Sequence, residues 1–228
     1  MEDDRTPILM DHPFPISISY TEKLKRLHKV VSPEDTLGII IDADPDAMAS
    51  ALALIRLLWR KARHVLIYRI NRIKRLDNLA CAKLLKIEQE HIRFMKRSRI
   101  TRWAIVDSQP QHREEFTGYQ FDIIIYHHPV MPTSRALFMD IKENYGANST
   151  IMTEYLRPAK IVPTMRLATA LFYGIKTDTA NFARECLSSD INAFKYLHKF
   201  ANMNIIKRIE SAEMTKKTLS KFRLAPVR

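Results

Sequence analysis

Thr36-Leu-Gly-Ile-Ile-Ile-Asp-Ala-Asp-Pro-Asp-Ala-Met-Ala-Ser-Ala-Leu-Ala-Leu54 is the stretch on which the fold class turns. Up to Ile41 it is a short, continuous apolar run, the pattern of a strand buried on both faces. From Asp46 it is rich in Ala and Leu and predicts a helix reaching Lys61. Comparable strand-like runs follow at His64–Ile70, Trp103–Asp107 and Phe121–Tyr126, with helical segments between the earlier ones. A basic amphipathic helix is expected over Thr21–Val31, ahead of the first strand. Alternation of this kind argues for βαβ units: an α/β fold with a mostly parallel sheet flanked by helices. The later half reads as mainly helical, over Tyr145–Arg157, Pro163–Lys176 and a run from about Ser189 to Lys221. Pro163 suits a first helical turn, where its missing N–H costs nothing.

Composition removes several function classes. Gly38, Gly118, Gly146 and Gly174 are the four glycines of the 228-residue chain, and they lie far apart. The glycine-rich loops of dinucleotide-binding and P-loop proteins, and the GxSxG elbow of α/β-hydrolases, are therefore missing. No apolar stretch is long enough to span a membrane as a helix. Met1-Glu-Asp-Asp-Arg5 is acidic and lacks the basic and apolar regions of a signal peptide. The two cysteines, Cys81 and Cys186, have no metal-type spacing and are expected as packing residues in a reduced, cytoplasmic protein. The net charge of +12, from 37 basic and 25 acidic residues, suits a phosphate-rich partner or simply a solvated basic surface. Charge alone does not choose between them.

The ends of the strands do. Ile39-Ile-Ile41 runs into Asp42, Asp44 and Asp46; Trp103-Ala-Ile-Val106 ends in Asp107; Phe121–Tyr126 ends in His127-His128-Pro129. Asp178 lies in Gly174-Ile-Lys-Thr-Asp-Thr179, after a helical run. Ligands of open parallel sheets collect outside the carboxyl ends of the strands, so these endings are expected to converge. Singly, each has an ordinary structural reading: Asp42 or Asp46 as a helix N-cap, His127 as a core imidazole, Asp178 as a turn residue. Together, carboxylates and imidazoles without thiolates suit Mn²⁺ or Mg²⁺, and two such ions suit phosphoryl chemistry.

The ordered set resembles the DHH phosphoesterase superfamily, in its RecJ-like and nano-RNase-like form. Asp42–Leu54 resembles the first motif, Asp-x-Asp-x-Asp followed by a small residue and Ser. Val106-Asp-Ser-Gln-Pro110 resembles the second, and His127-His128-Pro129 the name-giving third. Tyr145–Tyr155 and Gly174–Phe182 resemble the helix and final Asp motif, so the likeness runs from about Leu37 to Asn202. It implies that Asp107 bridges two ions, with Asp44 on the first and Asp42 nearby, and with Asp46, His127 and Asp178 on the second. It implies His128 as the residue that touches the phosphate or assists proton transfer, with Ser149, Thr150 and Arg72 as candidate substrate contacts. The Asp that opens the family's third motif is Tyr126 here, so Tyr126→Asp is expected to restore support to His127 and tighten metal binding.

The expected organisation is a loosely packed leader over residues 1–18 and a phosphoesterase domain over 19–202. A linker helix and basic tail over 203–228 follow, without the family's second, substrate-gripping domain. The expected activity is metal-dependent hydrolysis of phosphate esters in a small nucleotide or short oligonucleotide. A degenerate module that binds nucleotide without turnover is the alternative. A nucleic-acid-binding face ranks third: Arg69-Ile-Asn-Arg-Ile-Lys-Arg75 has no interleaved aromatic residues and is expected as a solvated loop.

Overall fold

A computed structural model describes residues 18–184 and 186–212. Most of the expected leader and the basic tail from Thr215 lie outside the described residues. Six strands form one sheet: β1 (Thr36–Ile41), β2 (His64–Arg69), β3 (Glu90–His91), β4 (Arg102–Val106), β5 (Ile123–Tyr126) and β6 (Phe138–Ile141). Every pairing is parallel, in the order β3-β2-β1-β4-β5-β6. The four strands read from the sequence are present. β3 and β6 carry little apolar signal in the sequence, since β3 has two residues and β6 is a four-residue strand of alternating burial with Asp140 within it.

Helices α1 (Tyr20–Lys29), α2 (Pro45–Leu57), α3 (Leu76–Leu84), α4 (Asn148–Leu156), α5 (Met165–Asp178) and α6 (Ser188–His198) accompany the sheet. α2 starts where the acidic segment ends, with Asp44 as N-cap accepting from the Ala47 N–H and Pro45 in the first turn. α5 runs through Gly174 to Asp178, so Asp178 ends a helix where a turn was expected. The expected run from Ser189 to Lys221 is broken: α6 stops at His198, and residues 203–212 are separately helical. Asn202 caps that second piece, its carboxamide oxygen accepting from the Asn204 and Ile205 N–H groups. Ile206 and Ile209 of this piece are buried in the main core.

Alternate strand residues supply two cores. Ile39, Ile41, Ala104, Val106, Ile123 and Ile125 pack against buried residues from all six helices. Ile40, Ile105 and Ile124 point the other way, onto Phe116, Phe121 and Ile70. The helices thus gather in the main core, while loop residues and a 3-10 turn at Glu114–Phe116 supply the second core among the described residues. The continuous apolar run of β1 follows from this: each face of that strand has a hydrophobic partner.

The strand order reverses between β1 and β4. Chain connections leave β1 toward β2 and β3 on one side, and leave β4 toward β5 and β6 on the other. A crevice forms at the carboxyl ends of two such diverging strands, and β1 and β4 end at Asp42 and Asp107.

Gly38 lets β1 and β4 pack this closely. It is paired with Trp103, and a Cβ there would lie 2.8 Å from the indole Cζ3 and 3.1 Å from Ile100 Cγ2. Gly38→Ala is expected to destabilise the protein by about 1–3 kcal/mol through overpacking. Urea unfolding checks this, and a wild-type midpoint would show that the rigid indole moves aside without cost.

Candidate metal centre

Three carboxylates, Asp107 after β4, Asp46 in the first turn of α2 and Asp178 at the end of α5, meet the imidazole of His127. His127 directly follows β5, and its Nε2 lies 3.3 Å from Asp107 Oδ1 and 3.1 Å from Asp178 Oδ2. Donor atoms of Asp46, Asp107 and His127 all lie within 4.8 Å of one another. Asp178 reaches the group from the last turn of α5. Asp44 lines one cleft with Asp46 and Asp178, and an adjoining cleft with Asp42 and Asp107. The sequence-read residues Asp42, Asp44, Asp46, Asp107, His127 and Asp178 are therefore brought together. His128 is exposed beside them, its ring centroid 4.0 Å from that of His127.

Each acid is held differently. Asp46 is 1% exposed and uses both oxygens on α4: Oδ2 accepts from the Asn148 N–H at 2.7 Å and Oδ1 from the Ser149 N–H at 2.8 Å. The free N–H groups and positive end of a helix N-terminus favour a carboxylate there. Gly174 keeps α5 close enough for this packing, since a Cβ on it would stand 2.5 Å from Ser149 Oγ and 3.0 Å from Asp46 Oδ1. Asp107 has left-handed backbone, φ 59°, which Asp and Asn adopt more readily than other non-glycine residues. Its N–H is fixed on the Ile125 carbonyl at 3.0 Å, so the turn after β4 is tied to β5. Asp42 accepts from Arg113 Nε at 2.9 Å and Nη2 at 2.7 Å.

Burial and mutual repulsion push these acids upward. Asp44 rises from 3.8 to about 6, through burial first and the charges of Asp178 and Asp42 besides. Asp46 rises to about 7, through burial and Asp178. Asp107 lies well above the ordinary carboxylate value, through burial, Asp46 and Asp44. For His127, burial opposes protonation, but the bonds to Asp107 and Asp178 outweigh it and raise the imidazole to about 11. The protein alone thus supplies too little positive charge for its own carboxylates. A thiolate-free set of carboxylates and one imidazole, close together and short of positive charge, fits a divalent cation.

The second ring nitrogen of His127 answers the question raised by Tyr126. Nδ1 lies 3.0 Å from the Tyr145 carbonyl oxygen, so main chain supplies the support expected of an Asp at position 126. Tyr126 is buried, with its ring edge-on to His112, His127 and His128. In this setting Tyr126→Asp would remove ring packing and add a carboxylate to a crowded set.

Two residues expected as substrate contacts lie inside the protein. Ser149 and Thr150 are fully buried; the Ser149 backbone serves Asp46, and the Thr150 hydroxyl donates to Asp190 Oδ1 at 2.6 Å. Asp190, missed in the sequence, also accepts from the Gly146 and Leu187 N–H groups and so anchors the start of α4. Its only sequence signal is an acid in the first turn of a helix. Arg72, by contrast, lines the cleft shared by Asp42, Asp44 and Asp107, which has a volume of about 680 Å³. The loop expected to be solvated at Arg69–Arg75 is exposed at Arg72, Lys74 and Arg75 and also lines this cleft. Asn71 explains why, since its side chain accepts from the Ala43 N–H at 2.9 Å and donates to the Ala43 carbonyl at 3.1 Å.

The chain matches no protein-family model. It is 34% identical over 175 residues to the uncharacterized protein MJ1633 of Methanocaldococcus jannaschii, covering 77% of this chain and 36% of that one. Among solved structures it is similar to a Methanococcus jannaschii protein assigned to the family II inorganic pyrophosphatases. The TM-score is 0.57 and the identity 20%, over 76% of this chain and 60% of that chain. The likeness is one of fold. In both cases the chain spans less than two thirds of its relative.

These shifts set a pH dependence. A buried acid whose folded pKa is raised stabilises the fold below its unfolded value and loses that contribution as pH climbs through the folded value. For Asp44 and Asp46 the window runs from 3.8 to about 6 and about 7. The imidazole shift does not oppose this, because the contribution of His127 is lost only toward about 11. Chelator-treated protein is expected to melt at falling temperature as pH rises from about 4 to about 7, with a growing stabilising increment from Mn²⁺. A Mn²⁺ increment independent of pH, measured by differential scanning fluorimetry, would remove these acids from the cation site.

Proposed function

We propose that this protein is a metal-dependent phosphoesterase of the DHH superfamily, acting on phosphate esters of small nucleotides or short oligonucleotides. The observation that carries the reading is the meeting of Asp46, Asp107, His127 and Asp178 at the point where the strand order reverses. The fold likeness to a protein assigned to the family II inorganic pyrophosphatases supports hydrolysis of a phosphate-containing substrate, as does the order of the sequence motifs.

In this reading Asp46, His127 and Asp178 would hold one ion and Asp44 and Asp42 another, with Asp107 within reach of both. The cations, Mn²⁺ or Mg²⁺, supply Lewis acidity toward the phosphoryl oxygens and lower the pKa of water. The chain's own residues do the rest. The Tyr145 carbonyl holds the Nδ1 proton of His127 and leaves Nε2 facing the carboxylates. His128, exposed and packed on His127, contacts the phosphate or moves a proton at its imidazole. The α4 N–H groups hold Asp46 against the repulsion of its neighbours. A nucleotide-binding module without turnover is the rival reading, favoured by Tyr126 standing where the family's Asp is found.

Mn²⁺-dependent hydrolysis of bis(p-nitrophenyl) phosphate separates the two. Asp107→Asn keeps a residue that tolerates the left-handed backbone, so it removes charge without adding backbone strain. It is expected to lower turnover by at least about 100-fold, in line with the several kcal/mol contributed by a Lewis-acidic cation. The melting temperature of the chelated protein should stay level or rise. Wild-type turnover in the variant would exclude Asp107 as a ligand, and wild-type protein that binds Mn²⁺ and nucleotide without hydrolysis would favour the binding module.

A further inference from the structure

Trp59 and Phe94 are the exposed aromatic side chains among the described residues, 61% and 57% accessible, while every other described Phe, Trp and Tyr is buried or half-buried. Each carries an arginine against its ring. The Arg56 guanidinium lies 5.9 Å from the Trp59 ring centroid, and that of Arg93 lies 4.4 Å from the Phe94 centroid. Each ring also sits in a basic run, residues 56–64 and residues 91–102, that contains no acid. Arg60, Lys61 and Arg63 follow Trp59, and Lys96, Arg97 and Arg99 follow Phe94; all are exposed, and none is ion-paired among the described residues.

The two runs meet at the amino edge of the sheet. The Arg63 and His64 N–H groups donate to the Asp35 carbonyl at 2.8 and 3.3 Å, and the Thr101 hydroxyl donates to the Asp35 carboxylate at 2.7 Å. Ile92 packs on the second core and Ile100 packs against Gly38, so the second run crosses the sheet face that carries this core. There Arg97 lies 4.5 Å over the Tyr119 ring. Asp42 and Asp107, by contrast, follow β1 and β4 at the opposite, carboxyl edge.

Solubility accounts for exposed cations but not for exposed rings beside them. A lipid surface calls for one contiguous apolar face. Here Trp59 precedes the first residue of β2, and Phe94 follows the β3 residues paired with its last two, so the rings are separated along that strand. Open aromatic faces set among arginines and lysines suit unpaired bases, which stack on the rings while the cations track the phosphates.

We propose that the basic band formed by residues 59–63 and 93–99 binds single-stranded nucleic acid, with Trp59 and Phe94 as stacking platforms. The inference does not depend on the phosphoesterase reading, because the band lies away from the carboxylate cluster and needs no cation.

Fluorescence anisotropy of a labelled oligouridylate of about 12 nucleotides tests it, in chelator so that no metal-dependent cleavage consumes the probe. Wild-type affinity is expected to fall with salt, with about 0.7 in the logarithmic slope for each phosphate contact. Trp59→Ala and Phe94→Ala should each weaken binding at least about fivefold, the lower end for loss of a base–aromatic stack, with the salt slope unchanged. Phe94→Trp, which keeps a ring face, should hold or tighten binding and so separates lost stacking from lost folding. Lys96→Gln/Arg99→Gln should reduce the slope by about 1.4. No binding by wild type, wild-type affinity in either alanine variant, or equally tight binding of a duplex of the same length would overturn the proposal. So would alanine variants that lose phosphatidylserine vesicles but keep oligouridylate, since the rings would then serve a membrane surface.

Discussion

Burying Asp46 and Asp107 beside a single imidazole is the constraint around which this structure is arranged. Each ionised carboxylate taken from water costs several kcal/mol unless it is paired or hydrogen-bonded. The protein answers in part. The N-terminus of α4 gives Asp46 two N–H donors, and His127 spans Asp107 and Asp178. The remaining repulsion shows in the upward displacement of Asp44, Asp46 and Asp107. A fold that retains this arrangement is organised for an added positive charge.

The supports of the site reach far into the domain. The Tyr145 carbonyl orients His127, while the Tyr145 hydroxyl donates to Glu154 Oε2 at 3.0 Å, an oxygen that also accepts from Tyr20 at the start of α1. Lys23 of the same helix pairs with Asp140 on β6, and Tyr155 donates to the other oxygen of that carboxylate at 2.5 Å. The basic helix ahead of β1 is thus tied to the residue that aims His127. Asp190 does the same for Asp46, since it holds Gly146 and Thr150 on either side of the two N–H donors. These residues touch no reacting group, yet they set the position of those that do.

The cleft beside the site carries both signs of charge. Asp42, Asp44 and Asp107 share its lining with Arg72, Lys74, Arg75 and Arg113. An excess of positive charge spread evenly over a surface would serve solubility alone. Here part of it stands on a loop pinned to the acidic segment through Asn71 and Ala43, which joins the net charge of +12 to the site by a specific pair of hydrogen bonds.

The sequence by itself determined the fold class and the position of the chemistry along the chain. Doubly buried strands must be continuous apolar runs, and β1, β4 and β5 each pass directly from such a run into Asp42, Asp107 or His127. Strand ends and acidic or imidazole residues are local features, so they are legible one segment at a time. What needed tertiary structure is everything set by contact between distant segments. Ser149 and Thr150 look in sequence like polar groups available to substrate, but the packing of α5 at Gly174 and the reach of Asp190 turn them inward. Tyr126 looks like a lost support, but a carbonyl 18 residues beyond His127 supplies it. Arg69–Arg75 looks like a solvated run, because nothing local to Asn71 announces a partner at Ala43. Hydrogen bonds between segments far apart in sequence leave no periodicity to read, and only the assembled sheet, with β2 and β4 flanking β1, brings their ends together.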